Sequence, residues 1–136
     1  MDFEVQKNSR AEVSEKVTDA NTAVAMSCGK SPVYATPAMV ALMEMAAIHA
    51  VDPQLPEGTN TVGIAIDVKH LSASPVGMTV RAEATLTAQD RRHLTFTIEA
   101  FDDAGLIGTA THERFIIDSA PFLAKAEAKK KNNTQL

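Results

Sequence analysis

One apolar helix constrains the fold of this chain more than any other sequence feature. From Ala38 to Ile48 the sequence reads Ala-Met-Val-Ala-Leu-Met-Glu-Met-Ala-Ala-Ile, so apolar residues cover every side of the predicted helix. Thr36-Pro37 precedes it, a pair typical of a helix start: the threonine hydroxyl is the expected cap, and proline suits the first helical position. The rest of the fold must therefore cover this helix on all sides.

A single carboxylate, Glu44, lies at the middle of this helix. In apolar surroundings a carboxylate must be paired, protonated or used for chemistry. Thr36 lies eight residues earlier, a little over two turns at about 3.6 residues per turn, so both side chains share one face. The sequence predicts a short polar strip along an otherwise apolar helix.

Downstream of the helix the apolar period changes from about 3.6 to 2, which predicts strands at 62–70, 78–86, 94–100 and 106–117. A weaker strand is expected at 12–24, and the tail from 119 is expected to be a frayed helix followed by disorder. In the strand 62–70, alternation predicts an inner face that holds Val62, Ile64, Ile66, Val68 and His70.

Two residues near the end of the last predicted strand share one face. His112 and Arg114 have the same parity, whereas Glu113 points to the other face. If Arg114 is only structural, its ion-pair partner must therefore come from elsewhere in the fold.

Composition and charge limit the class of protein. The chain has 136 residues, 45% hydrophobic and 22% charged, which predicts a single domain over 1–136. A net charge of -4 does not favour binding to nucleic acid or to an anionic membrane. The apolar helix contains Glu44 and His49, and it is too short and too polar to span a bilayer. With one cysteine, Cys28, and no basic-then-apolar leader, we expect a cytoplasmic protein. We expect no metal site, because no histidines and carboxylates have the close spacing of metal ligands. We expect no cofactor, because the sequence has no glycine-rich phosphate loop or dinucleotide-binding motif.

The predicted order of elements is strand, apolar helix, then four strands joined by short turns. This order favours an α+β fold in which a largely antiparallel sheet carries one helix on one face. Because a flat sheet covers only one side of a helix, either the sheet curls around it or a second copy of the chain covers the rest. Both occur in the hot-dog fold, so we expect a curved antiparallel sheet wrapped around one central apolar helix.

Three segments, 34–44, 62–70 and 108–114, carry a resemblance to a known family. Together they resemble the fluoroacetyl-CoA thioesterase-like branch of the hot-dog thioesterases, over roughly 33–117. The resemblance implies an acyl-CoA thioesterase that works as a homodimer with pockets at or near the interface. It also implies that Thr36, Glu44 and His70 are the catalytic set, and that Gly63 and Arg114 lie beside the acyl group.

The chain departs from the fluoroacetyl-specific members in one place. Those members are similar in the three catalytic residues but carry aromatic groups before the helix, where this chain has Ser-Cys-Gly-Lys-Ser-Pro at 27–32. We therefore expect a short or medium acyl-CoA as substrate, without strong preference for a fluorinated one.

The chemistry of thioester hydrolysis is compatible with these residues and leaves their roles open. The reaction needs a nucleophile or activated water, a proton shuttle, and donors for the developing oxyanion, for which free N–H groups at the helix start are suited. His70 is a candidate general base or acid, and Glu44 is its orienting partner, a nucleophile or an activator of water. Two other functions remain possible: a non-catalytic acyl-thioester binder, and an enoyl-CoA hydratase, although the close Asp and His pair typical of hydratase helices is absent here.

Overall fold

A five-stranded antiparallel sheet and one central helix form the fold. The computed structural model describes residues 3–133, with side chains as far as residue 131. The sheet has the order β1-β3-β4-β5-β2, which confirms the α+β, hot-dog architecture. The strands are β1 (Arg10–Lys16), β2 (Thr59–His70), β3 (Thr79–Asp90), β4 (His93–Asp102) and β5 (Gly105–Asp118), and the helices are α1 (Thr36–Val51) and α2 (Ser119–Asn133).

The core lies between α1 and the inner face of the sheet. Helix α1 packs against β1, β3 and β4, whose apolar residues alternate as the sequence predicts. Each buried side chain of leucine or phenylalanine size contributes about 1.5–3 kcal/mol to folding. On the sheet the fully or nearly fully buried residues are Val80, Ala82, Ala84, Leu86, Leu94, Phe96, Ile98 and Ala100, and on the helix Met39, Leu42, Met43, Ala46, Ala47 and Val51.

The opposite side of α1 is uncovered in the single chain. Pro37, Ala41 and Met45 are exposed, and Val40 and Ile48 are half-buried. Met45, a side chain that normally prefers the core, is 47% exposed. The sheet thus covers one side of the apolar helix, and the prediction that the helix must be covered on all sides is not met within one chain.

Strand β2 lies at the edge of the sheet and contains a bulge. It pairs with β5 on one side, with Gly63 opposite Arg114 and Ala65 opposite Glu113, so Ile64 has no partner. Ile64 is 53% exposed, and the prediction that it lies on the inner face is therefore wrong. A bulge inserts one extra residue into a ladder, which reverses the alternation of faces at that point.

The strand expected at 12–24 ends earlier, at Lys16. The backbone N–H groups of Thr18 and Ala20 donate to side-chain oxygens of Asn21 and Thr18, which makes a turn that stops the strand. Beyond it, the chain as far as α1 runs through turns with isolated bridges such as Thr22 to Tyr34.

The C-terminal segment forms helix α2, which continues to Asn133. A helix is expected from residue 119, and the disordered tail expected after it falls on 134–136, outside the described residues. In the described part of the chain, neither helix has the length and apolarity needed to cross a membrane.

Candidate active site

Thr36 and His70 meet at the start of α1. The distance from Thr36 Oγ1 to His70 Nδ1 is 2.7 Å, a hydrogen bond between the first residue of the helix and the last residue of β2. The residue in the capping position of α1 is Ala35, and no side chain caps the helix. The expectation that the Thr36 hydroxyl caps the helix is therefore wrong, and this hydroxyl is paired with an imidazole instead.

The imidazole of His70 is half-buried and uncharged. Burial lowers its pKa below the usual value of a histidine, and the nearby Ser72 backbone offsets this only in part, so the ring is neutral at pH 7. Its Nε2 atom is buried without a hydrogen-bond partner among the described residues. A buried ring nitrogen without a partner is costly, which is typical of a group that meets a ligand.

A cavity of about 340 Å³ lies against this pair. Besides Thr36 and His70 it is lined by Cys28, Val33, Tyr34, Pro37, Leu71 and Ser72. A larger cavity, of about 1250 Å³, lies between the N-terminal segment and the β3–β4 turn and contains none of the five predicted site residues. We assign the smaller cavity as the candidate site because it holds the hydrogen-bonded hydroxyl and imidazole of Thr36 and His70.

Glu44 lies in a second group, with Arg114 and His112. Arg114 Nη1 donates to Glu44 Oε2 at 3.0 Å, so the ion-pair partner of Arg114 comes from the helix and not from its own strand. The Glu44 side chain is 39% exposed, whereas that of Arg114 is only 5% exposed. The carboxylate is thus fixed at one oxygen and still open to solvent.

His112 is buried and neutral. Its Nδ1 lies 2.8 Å from the Ala65 carbonyl, to which it donates, so Nε2 is free to accept from Arg114 Nη1 at 3.2 Å. Burial lowers the pKa of His112, and the charge of Arg114 lowers it further against the opposing effects of Ala65 and Glu44. The distance of 3.8 Å between His112 Nε2 and Glu44 Oε2 is therefore a contact with a neutral ring.

Two residues that the sequence did not suggest, Thr61 and Asp52, anchor Arg114. Arg114 Nε donates to Thr61 Oγ1 at 2.8 Å and Nη2 donates to the Thr61 carbonyl at 3.0 Å. Thr61 Oγ1 in turn donates to Asp52 Oδ1 at 2.6 Å. Asp52 stands in an Asp-Pro breaker and Thr61 lies just before the predicted strand, so neither position carried a pattern that marks a site.

Gly63 lies directly against the Glu44 carboxylate. A Cβ atom at this position would overlap Glu44 Oε2 and would lie 3.2 Å from Arg114 Nη1. The glycine is needed here for space, because a carboxylate approaches the strand backbone closely.

The five predicted site residues therefore form two groups in one chain. Thr36 and His70 line the cavity, whereas Glu44 lies eight residues further along α1, about 12 Å from Thr36 at 1.5 Å per residue, with Gly63 and Arg114 beside it. In the part of the chain whose side chains are described, no hydrogen bond or ion pair joins Glu44 to either residue of the first group. The same part holds no cluster of three side chains able to bind a metal ion.

Fold and site together define a class: a hot-dog protein with a hydroxyl–imidazole pair at the N-terminus of its central helix and an anchored carboxylate on the same helix. The model of the family described as fluoroacetyl-CoA-specific thioesterase (FlK) matches residues 17–120. The chain therefore belongs to this family, and it is an acyl-CoA thioesterase of the hot-dog superfamily.

Individual relatives support this assignment. The fluoroacetyl-CoA thioesterase of Streptantibioticus cattleyicolor is 41% identical over 97 residues, which cover 71% of this chain and 70% of that protein. A solved structure of the fluoroacetyl-CoA thioesterase FlK is 32% identical with a TM-score of 0.87, and covers 93% of this chain and 98% of the other. A thioesterase superfamily member from Thermus thermophilus is 27% identical with a TM-score of 0.89, covering 98% of both chains.

Proposed function

We propose that this thioesterase hydrolyses a short or medium acyl-CoA to the free acid and CoA by means of Thr36, His70 and Glu44. The observation that carries the proposal is the 2.7 Å hydrogen bond between Thr36 Oγ1 and His70 Nδ1 beside a cavity at the N-terminus of α1. A thioester carbonyl placed there points its oxygen at the backbone N–H groups of the helix start, which favour developing negative charge.

Each group has a defined step in this proposal. Glu44 accepts a proton from the water that attacks the thioester carbon. His70, neutral because of its burial, moves the proton of the Thr36 hydroxyl to the sulfur as the carbon–sulfur bond breaks. Arg114 keeps the Glu44 carboxylate in place. Glu44 finally passes its proton to the Thr36 oxygen, which restores the threonine hydroxyl, and the acid product loses its own proton to the solvent.

We further propose that the two groups form one site across a homodimer. Glu44 and Thr36 lie equally far from Val40 along α1. If two copies of α1 pack antiparallel about a twofold axis near Val40, Thr36 of one protomer lies opposite the partner's Glu44. The uncovered side of α1, with Met45 at 47% exposure, supplies the apolar surface for such packing.

The edge of the sheet supports the same arrangement. In the described chain, β2 pairs with a strand on one side only, and exposed edge strands pair readily with another chain. Residues 63–65 on this edge are exposed, and Ile64 among them is apolar. A twofold contact along β2 would continue the sheet across both protomers and bring the two helices together.

Sedimentation and subunit mixing test the dimer and its composite site. At micromolar concentration we expect a dimer, and a species of only 14.5 kDa would contradict the proposal. Each of the variants His70→Ala and Glu44→Gln is expected to be inactive alone. In a dimer of one variant with the other, one of the two sites keeps both His70 and Glu44. Random mixing in equal amounts makes about half of the dimers mixed, so about a quarter of wild-type activity should return. No recovery in a sample shown to exchange subunits would place each site within one protomer.

Replacing Glu44 by glutamine tests its role directly. Glutamine keeps the volume and still accepts from Arg114, but it removes the charge that faces a buried guanidinium. We expect turnover to fall at least about 10²-fold, measured as release of free thiol. The double variant with His70→Ala should lose little more than either single one, because members of one catalytic unit are not additive.

Glu113→Gln is the matched control for this variant. Glu113 lies between His112 and Arg114 on β5 but points to the outer face, where its Oε1 pairs with His93 Nε2 at 2.7 Å. We expect turnover within about twofold of wild type, since no proposed catalytic step uses this pair. A folded Glu44→Gln protein with near wild-type turnover would remove Glu44 from the proposed catalytic set.

The segment before α1 concerns the preference for a fluorinated acyl group. Of residues 27–32 only Cys28, a small side chain, lines the cavity. Tyr34, just before α1, also lines the cavity, but 27–32 place no aromatic group over the site, and we therefore propose no strong preference for a fluorinated substrate. A screen of acyl-CoA thioesters tests this, and a large rate advantage for fluoroacetyl-CoA over acetyl-CoA would refute it. We also propose a cytoplasmic location, where acyl-CoA and a free thiol such as that of Cys28 are both expected.

A further inference from the structure

A chain of polar groups, buried at Thr61 and half-buried at Asp52, runs behind Arg114 on the side away from Glu44. Arg114 is 4% exposed and Thr61 3%, and each nitrogen of the guanidinium has a protein partner. We propose that Thr61, itself held by Asp52, is a positioning residue that fixes Arg114 and thereby the Glu44 carboxylate for hydrolysis. This inference rests on the proposed function of Glu44.

The contacts of Thr61 leave it one orientation. Its hydroxyl donates to Asp52 Oδ1 at 2.6 Å and accepts from Arg114 Nε at 2.8 Å. Its backbone N–H donates to Asp52 Oδ2 at 3.1 Å, and its carbonyl accepts from Arg114 Nη2 at 3.0 Å. Since a hydroxyl has a single proton, its donation to Asp52 turns the lone pairs of Oγ1 toward Arg114.

Asp52 is placed against the electrostatic preference of its helix. It caps the C-terminus of α1, where the helix dipole disfavours a negative charge. Both of its carboxylate oxygens are bonded to Thr61. The contact with Thr61 therefore explains the placement of Asp52. It brings a second carboxylate near the buried guanidinium of Arg114, with Thr61 between the two charges.

A change at Thr61 would affect hydrolysis through the position of the Arg114 guanidinium. Arg114 Nη1 donates to Glu44 on one side while Nε and Nη2 are held by Thr61 on the other. The guanidinium is planar and rigid, so a rotation at Nε moves Nη1 as well. Glu44 is 39% exposed and has room to follow or to turn into solvent.

The experiment compares Thr61→Val with Thr61→Ser. Valine keeps the shape of threonine and removes the hydroxyl, whereas serine keeps the hydroxyl. We expect Thr61→Val to lower kcat by about 10- to 10²-fold, the scale of a misplaced catalytic group, with KM within about twofold. Thr61→Ser is expected to stay within about threefold of wild type. Thr59→Val is the control: the Thr59 hydroxyl lies on the same strand but donates to the Pro56 carbonyl, so kcat should be unchanged.

The Glu44→Gln background separates this inference from the proposed function. If Thr61 acts through Glu44, Thr61→Val should lower kcat in the wild-type background and change it by less than about twofold in the Glu44→Gln background. An equal loss in both backgrounds would overturn the inference while leaving Glu44 catalytic. Full activity of Glu44→Gln alone would instead overturn the proposed function.

A second variant keeps the test decisive if Thr61→Val does not fold. Asp52→Asn keeps an acceptor for the Thr61 hydroxyl but loses the charge and the second acceptor for the Thr61 N–H. We expect a smaller fall in kcat, about 3- to 10-fold, again absent in the Glu44→Gln background. Wild-type kcat in a folded Asp52→Asn protein would overturn the inference in that case.

Discussion

A single methyl group at Gly63 should disable the site without touching Thr36 or His70. The Cβ of alanine would overlap Glu44 Oε2 and would lie 3.2 Å from Arg114 Nη1 and 3.3 Å from His112 Cε1. Of these neighbours the carboxylate yields most easily, because Glu44 is 39% exposed while His112 and Arg114 are almost fully buried. We therefore expect Glu44 to withdraw by about an ångström or more and its ion pair with Arg114 to open.

The structure gives the size of the two effects. A hydrogen bond to a charged group contributes about 1.5–3 kcal/mol, and the exposure of Glu44 reduces this to about 1–2 kcal/mol of stability lost in Gly63→Ala. A displacement of about an ångström in a catalytic group costs about 10²-fold in rate. Denaturant unfolding measures the first effect and acyl-CoA hydrolysis under saturating substrate measures the second.

A matched variant separates loss of stability from loss of geometry. Gly105 has a φ of 145°, in a region that favours glycine, and a Cβ there meets no atom within 4 Å. Gly105→Ala should therefore lose about 1–3 kcal/mol through backbone strain and keep wild-type kcat. If Gly63→Ala is folded and turns over at the wild-type rate, the close approach of Gly63 to Glu44 has no bearing on catalysis and the reasoning fails.

Three further predictions follow from the titratable groups and the N-terminal segment. Because His70 must be neutral to act as a base and its pKa lies below the usual histidine value, kcat/KM should stay high until the pH falls below about 6.5; an acid limb above pH 7 would contradict this. The pKa values of His70 and His112 are both lowered, so the unfolded chain binds more protons. The free energy of unfolding should therefore fall as the pH drops below about 6.5, with a smaller slope in His112→Gln, as chemical denaturation at several pH values can measure. The Gln89 side chain bonds the Val5 N–H and the Phe3 carbonyl, so Gln89→Ala should cost about 1–2 kcal/mol and speed hydrogen exchange at Val5, and unchanged exchange there would refute this.

The periodicity of the sequence predicted most of the architecture because burial on one face determines it. The alternation at 78–86 and 94–100 gave the inner faces of β3 and β4, and the apolar stretch before Asp52 gave α1. The same alternation placed His112 and Arg114 together on one face and Glu113 on the other, as the structure has them.

The partners of the site residues could not be predicted, since they join segments far apart in the chain. Nothing local to Glu44 indicates that its carboxylate meets Arg114, seventy residues later. The capping preference of threonine led to the wrong expectation for Thr36, because a tertiary hydrogen bond to His70 prevailed over a local one. Local sequence preferences describe contacts between neighbouring residues, whereas the residues of this site are paired across distant segments of the chain.

The bulge in β2 is the feature that lets one strand serve both halves of the candidate site. Gly63 and His70 are seven positions apart, and in a regular strand an odd separation puts two residues on opposite faces. With Ile64 unpaired, the alternation is reset: Gly63 faces Glu44 before the bulge, and His70 faces Thr36 after it. Sequence periodicity had to choose one parity for the whole strand, so it placed His70 correctly and placed Val62 and Ile64 wrongly. Without the extra residue, a register that kept His70 against Thr36 would turn Gly63 away from α1, and the carboxylate would lose the open strand surface against which it lies.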